Sequence, residues 1–359
     1  MKVNDRTLIT LLLSVATLLT ACDTKDFGDI DSPAQDKKVP LQLVSGITTT
    51  VTRAYDSSWE TGDKIGVYTV KAGSTASSDV TRSGTYEDSN IAYVLSGTAA
   101  NTATATETPG TYTYVYQGFT AADDLPGTDP AEKKQIYLPI DGSNVDVCAY
   151  YPYSNTATSS AVSVTLPTVQ KLANQKTCDL MAAKALSATS AINIDHTSAQ
   201  LLFQHMLSKV IIRVMVGTGY SATDLTNLDV KIAGQATSAE FNPLTQALSN
   251  ITGNNEITPL LLTEGDADWS KKSDANGDAY AIYRALVMPT ATASGSIVIT
   301  VGTSPNTANY SYTLTQTLGA GTETVYTLRL MPTGIVVTAA ITPWSEHSNV
   351  PESPLYESN

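Results

Sequence analysis

Apolar and polar positions alternate along Leu41–Val51. Leu41, Leu43, Ile47 and Val51 fall on one face, and Gln42, Gly46, Thr48, Thr50 and Thr52 fall mostly on the other. This period of two predicts a half-buried strand that ends at Arg53, followed by a loop over Ala54–Ser58. A second strand is expected to open at Trp59 and run through Ile65, Val67 and Tyr68. Strand-length apolar runs follow at Ile91–Leu95, Thr111–Phe119, Gln135–Ile140, Val145–Tyr153, Ala161–Leu166 and Asp179–Ala183. Polar turn clusters such as Pro126–Pro130 and Asp141–Asn144 separate them, and Lys71–Asn90 reads as a long loop or weak hairpin. A short helix is expected only within Asn174–Leu186. Beyond a join at Ser187–Ser190, further runs stand at Leu201–Val216, Asp229–Ala233, Ala279–Met288, Ser296–Val301, Tyr310–Leu314, Val325–Leu330 and Gly334–Ile341. The pattern predicts an all-β chain of two tandem antiparallel β-sandwich domains, 39–190 and 191–359.

The N-terminus carries a different pattern. Lys2 and Arg6 precede the apolar run Leu8–Leu19, which is too short to span a bilayer, and Leu19-Thr20-Ala21-Cys22 closes it. Residues 1–21 are thus an export signal, and the Leu-Thr-Ala-Cys end resembles a lipobox, which implies cleavage before Cys22 and acylation of its thiol. Residues 22–38, with Asp23, Asp26, Asp29 and Asp31, read as a polar tether. Each buried CH₂ contributes about 0.8 kcal/mol, so a multiply acylated Cys22 would hold the protein durably on a membrane.

Composition narrows the function more than it names it. A formal net charge of −13 leaves no clustered Lys and Arg to neutralise phosphates, so nucleic acid is excluded as a partner. Tyr outnumbers Phe by 18 to 4, which suits sheet surfaces where a ring packs while its hydroxyl stays wet. With 42% hydrophobic residues over 359 positions, two cores of sandwich size can be buried.

The residues that carry chemistry elsewhere are sparse here. His196, His205 and His347 lack metal-ligand spacing, and a hydrogen-bonded structural role is expected for His205. Asp274-Ala-Asn-Gly-Asp278 begins like a calcium loop, but Ala279 and Ala285 stand where that loop needs Gly and Glu. An acidic surface loop is the better reading of it and of Asp266 and Asp268. No nucleophile elbow, phosphate loop or dinucleotide fingerprint is present, so neither an enzyme nor a cofactor is expected. Cys148 and Cys178 either pair in passage through an oxidising compartment or stay free as small buried groups; the free form is favoured. Trp59 and Trp344 are expected to plug the two cores.

The strand before Arg53 has a further property. A trypsin-like protease cutting between Arg53 and Ala54 would free it, leaving an apolar groove for a strand of another chain. Five phrases carry a family likeness in this context: Trp59–Tyr68, Ala149–Tyr153, Asp179–Ala182, Phe203–Lys209 and Gly334–Trp344. In this order, behind a lipobox, the chain resembles the fimbrillins, the lipoprotein pilins of Bacteroidales. The resemblance implies transthyretin-like sandwiches, surface export, cleavage after an arginine like Arg53, and assembly with other pilin subunits into fimbriae by strand donation. Adhesion and biofilm formation are the expected role, and the sequence names no receptor. Leu41, Leu43, Ile47 and Val51 would occupy the groove before exchange; Gly334–Ile341 or the tail Val350–Tyr356 would be the donor. Pro343, Pro351 and Pro354 interrupt pairing there, which leaves a tip or anchor role open. The alternative is a surface lipoprotein adhesin or glycan-binding module that never polymerises. A surface hydrolase would require a concave pocket with converging carboxylates.

Overall fold

The computed structural model describes residues 38–47, 59–81, 90–107, 110–124, 133–263, 280–303 and 306–344. Cys22, Val51, Arg53, Ala54, the Asp266–Asp278 loop, His347 and the Val350–Tyr356 tail lie outside these residues. The regular secondary structure of the described chain is almost entirely β-strand, as its period-2 patterning predicts.

Seven strands form a closed ring in the first part of the chain. They are β1 (Gln42–Ile47), β2 (Lys64–Lys71), β3 (Ile91–Glu107), β4 (Gly110–Ala121), β5 (Val145–Tyr151), β7 (Met181–Ala185) and β8 (Ser198–His205), in the spatial order β1-β4-β3-β2-β5-β7-β8. Strands β2 and β5 read as continuous apolar runs because both of their faces are covered. Tyr68, Val70, Cys148 and Tyr150 enter one core cluster, while the alternate positions Ile65, Val67, Val147 and Ala149 are buried on the other face.

That core cluster lies between the ring and a three-stranded sheet of β6 (Val162–Thr165), β11 (Ser238–Asn242) and β12 (Ala247–Thr252), and it includes Phe241, Leu286 and Trp344. Pairing of β6 with β11 ties early chain to late chain. Two more sheets share a second core built on Ile212, Ile232, Ile299 and Leu328. One holds β10 (Leu228–Gln235), β13 (Asn255–Ile257), β16 (Ser296–Thr303) and β17 (Asn306–Thr313). The other runs in the order β14 (Leu260–Leu261), β15 (Tyr280–Val287), β9 (Ser208–Val216), β18 (Thr322–Met331), β19 (Gly334–Pro343).

Several sequence expectations are corrected. Pairing is not wholly antiparallel: β1 runs parallel to β8, and β9 runs parallel to β18. Each such pair joins strands far apart in sequence, which a hairpin cannot do. The run Leu201–Val216 is two strands, broken at Met206–Leu207 where the chain leaves the ring for another sheet. Trp59 precedes its strand, which starts at Lys64. Gln135–Ile140 makes only an isolated bridge, Tyr137 to Pro40. The helix, α1 (Leu172–Cys178), stops before Asp179, because β7 begins two residues later. Strands β11 to β14 were not anticipated, since short polar runs such as Ala247–Thr252 carry little apolar signal.

One glycine tests the packing directly. A Cβ on Gly66 would clash with the Tyr150 ring, whose hydroxyl is held by Asn90 Oδ1 at 3.2 Å and the Ser154 carbonyl at 3.0 Å. Gly66→Ala is therefore expected to cost about 1–3 kcal/mol through overpacking, read as a lowered denaturant midpoint at unchanged slope.

Candidate functional site

The feature that sets the ring apart is how it closes. Strand β1 is hydrogen-bonded along both edges. It runs antiparallel to β4, with Leu43 opposite Phe119 and Ser45 opposite Gln117, and parallel to β8 from Gln42–Ser198 to Ile47–Phe203. Just ahead of it, Leu41 N–H donates to the Ile136 carbonyl and Gln42 N–H to the Thr197 carbonyl, both at 2.9 Å. The segment expected to be a strand at Gln135–Ile140 thus serves to pin the entry of β1.

Leu41, Leu43 and Ile47 are buried at 4%, 3% and 6% exposure, while Gln42 is exposed, so the face read from the sequence is the buried face. Ser45 was missed. It shares the parity of Leu43 and Ile47 and is fully buried, with no hydrogen-bond partner for its Oγ among the described residues. Parity alone would have found it. An unsatisfied buried hydroxyl costs about 1–3 kcal/mol, so β1 is not the tightest filling the slot could hold.

Strand β8 depends on β1. It meets β7 only at Met181–His205 and Ala182–Gln204, so among the described residues Ser198–Phe203 have no sheet partner except β1. Taking β1 away would leave that stretch with neither edge paired and strip one edge of β4. At the far end of the slot, Trp59 sets its ring edge-on against Phe119 of β4, Phe203 of β8 and Tyr151, with centroids 5.2, 5.0 and 5.5 Å away. It plugs the ring core, as a large aromatic at a core end does.

Beside Ile47 and Trp59 opens a cavity of about 270 Å³ that also reaches Asp63, Asp179, Met181 and Arg284. It contains carboxylates, yet each is committed. Glu60 pairs with Lys176 Nζ at 2.9 Å, Asp63 accepts from Glu60 N–H at 2.7 Å, and Asp179 Oδ1 lies 3.0 Å from His205 Nδ1. Arg284 Nε donates to Gln175 Oε1 at 2.9 Å. The geometry is that of a cross-braced wall.

Cys148 and Cys178 are free thiols, so the disulfide between them that the sequence left open is not formed. Cys148 faces the core from β5, and Cys178 ends α1 with its Sγ 3.6 Å from the Gln175 carbonyl. Burial pushes Cys148 up to about 11 and Cys178 to about 12, which keeps both protonated and unreactive near neutrality. His196 is exposed and bonded to Asn193. Among the described residues no group of His, Cys, Asp and Glu has metal-binding geometry.

Comparison with known proteins fits this picture. A family model described as fimbrillin-like matches residues 52–344. A Bacteroides uniformis protein named as fimbrium subunit Fim1C is 28% identical over 337 residues, covering 92% of this chain and 93% of that protein. The crystal structure of a protein described as a cell adhesion protein, also from B. uniformis, is 25% identical with a TM-score of 0.58, covering 86% of this chain and 99% of the other. A similarly described B. ovatus structure shares the fold at 19% identity, TM-score 0.56, with 86% and 98% covered.

Proposed function

The chain belongs to the fimbrillin-like family, and we propose that it is a structural fimbrial subunit whose β1 is exchanged for a strand of a neighbouring subunit. In this reading the protein is exported as a lipoprotein through Cys22 and presented at the outer-membrane surface. It is trimmed between Arg53 and Ala54 by a trypsin-like protease, and its two halves are transthyretin-like sandwiches. The fibre it joins serves adhesion and biofilm formation, with no catalytic step of its own.

The observation that carries the proposal is the two-edged seat of β1. A strand bonded on both sides and apolar on one face is the piece whose loss leaves the most for a replacement to satisfy. Leu41, Leu43 and Ile47, at about 1.5–3 kcal/mol each, put the apolar gain of refilling at about 5–9 kcal/mol before ordering costs. The family match itself begins at Thr52, after β1, and ends on Trp344.

Of the two candidate donors, β19 fits better. Its positions Ile335, Val337, Ala339 and Ile341 repeat the spacing and size order of Leu41, Leu43, Ser45 and Ile47: two large, one small, one large. It lies at a sheet edge, bonded among the described residues only to β18, with Val336 and Ile341 exposed at 42% and 43%. Moving it into the vacated slot would exchange a one-edged ladder for a two-edged one and place Ala339 where Ser45 has no partner. Val350–Tyr356 offers Glu352 at the Leu43 position and two prolines.

Limited trypsin treatment is expected to cut after Arg53 and convert monomers into a ladder of polymers resolved by native electrophoresis. Arg53→Ala should block both. Cut protein that stays monomeric, together with normal assembly of Arg53→Ala in cells, would overturn the proposal.

A further inference from the structure

The four inward positions of the β1 slot are not filled alike. Leu41 and Leu43 are sealed at 4% and 3% exposure, and Ser45 is a small group between large ones. Ile47, the last residue of β1, lines the cavity of about 270 Å³ at the slot's far end, which Leu41, Leu43 and Ser45 do not reach. A void of about 150 Å³ already takes a benzene-sized ring. The room beside Ile47 therefore exceeds what an isoleucine uses.

The lining favours an aromatic occupant. Trp59 and Tyr151 make one side of the cavity, and Ile47, Met181 and Leu286 add aliphatic surface. Tyr151 is held by its hydroxyl, which lies 3.2 Å from both Asp63 Oδ1 and the Lys176 carbonyl. The charges at the rim are already bound: Lys176 to Glu60, Asp63 to the Glu60 N–H, Asp179 to His205. An ion entering here would have to displace those contacts. A ring would instead join the edge-on packing that Trp59 already makes with Tyr151 and with Phe203, the partner of Ile47 on β8.

We infer that the Ile47 position is the selective pocket of the slot, and that the strand it is shaped for comes from a different fimbrial subunit, one with an aromatic side chain at that place. The inference rests on the reading that β1 is exchangeable, and it adds the kind of partner. A second copy of this chain is the poorer donor. In the register that sets Ile335 at the Leu41 position, β19 brings Ile341 to this place and leaves the cavity as open as Ile47 does. The preferred donor carries, on its inward face, two large aliphatic residues, one small residue and then a ring. The resident strand matches the first three in size and stops short at the fourth.

Isothermal titration of peptides into trypsin-cut, β1-depleted protein, with the protease inactivated, tests this. Relative to the Gly334–Pro343 peptide, its Ile341→Phe variant should bind about tenfold more tightly. The Val337→Phe variant, which puts the same ring at the sealed Leu43 position, should bind about tenfold or more weakly. Ile341→Lys should weaken binding as well. A gain with lysine and none with phenylalanine would assign the pocket to a cation and overturn the inference. An Ile341→Phe peptide no tighter than its parent also overturns it, while leaving strand exchange intact. Failure of every peptide to bind sinks strand exchange, and the choice of donor with it. The uncut protein supplies a check that involves no exchange: Ile47→Phe should keep or raise the urea midpoint, and Leu43→Phe should lower it. Equal losses would show that the cavity has no room for a ring, which removes the basis for an aromatic donor.

Discussion

Lys209→Ala is expected to destabilise the protein by about 3–5 kcal/mol, whereas Lys209→Met combined with Glu323→Leu should be neutral or more stable by about 1–4 kcal/mol. The two groups face each other across the parallel register of β9 and β18, with Nζ 2.8 Å from Oε2 and side-chain exposures of 1% and 9%. The contact has ion-pair distance, and among the described residues Glu323 Oε2 accepts no hydrogen bond. Removing the cation alone leaves the Glu323 carboxylate in low dielectric, where the desolvation cost goes uncompensated. Removing both returns apolar volume to an apolar site. Urea midpoints of the wild type, both single variants and the double variant form the cycle that checks this. A single-variant cost below about 1 kcal/mol would mean that water reaches the pair and that the site is wetter than its burial indicates.

The same residues show what a sequence can and cannot disclose. Leu41, Leu43 and Ile47 were legible as a buried face because alternation is a local signal, and of the two strands that flank β1, β4 was readable by itself while β8 was read as one run with β9. That β1 closes a ring was not legible. Closure depends on Leu43 meeting Phe119 and Ile47 meeting Phe203, partners tens to hundreds of positions away, and nothing local encodes that register. The Phe203–Lys209 phrase was recognised as family-like, yet its meaning is spatial. His205 ends one sheet and Lys209 belongs to another, and the turn between them at Met206–Leu207 is where the chain changes sheets. Periodicity read straight through that break, because apolar residues continue across it. Trp344 was expected to plug a core, and it does so against His205 and Lys209.

A peptide spanning Gly334–Pro343 should bind the trypsin-cut, β1-depleted protein, and placing Asp at Ile335 or Val337 should weaken binding about 100-fold or more. The reasoning runs through the slot's two demands. Its backbone edges, on β4 and β8, accept any strand of the right length, so they supply affinity without selectivity. Its apolar side supplies the selectivity, since the positions taken by Leu41 and Leu43 are nearly sealed. A carboxylate there would be desolvated without a partner or would have to bind a proton, and a cost of about 3 kcal/mol is already more than two decades in Kd. Asp at Val336, on the alternate face corresponding to exposed Gln42, should change affinity by less than about threefold. Bound peptide should also raise the unfolding midpoint in proportion to RT ln(1 + [L]/Kd), about 2.7 kcal/mol at 100 times Kd. Isothermal titration of the three peptides decides the matter. Equal loss at Val336 and Val337 would show that the strand sits in no fixed register, and a slot without register cannot sort donors by their alternation.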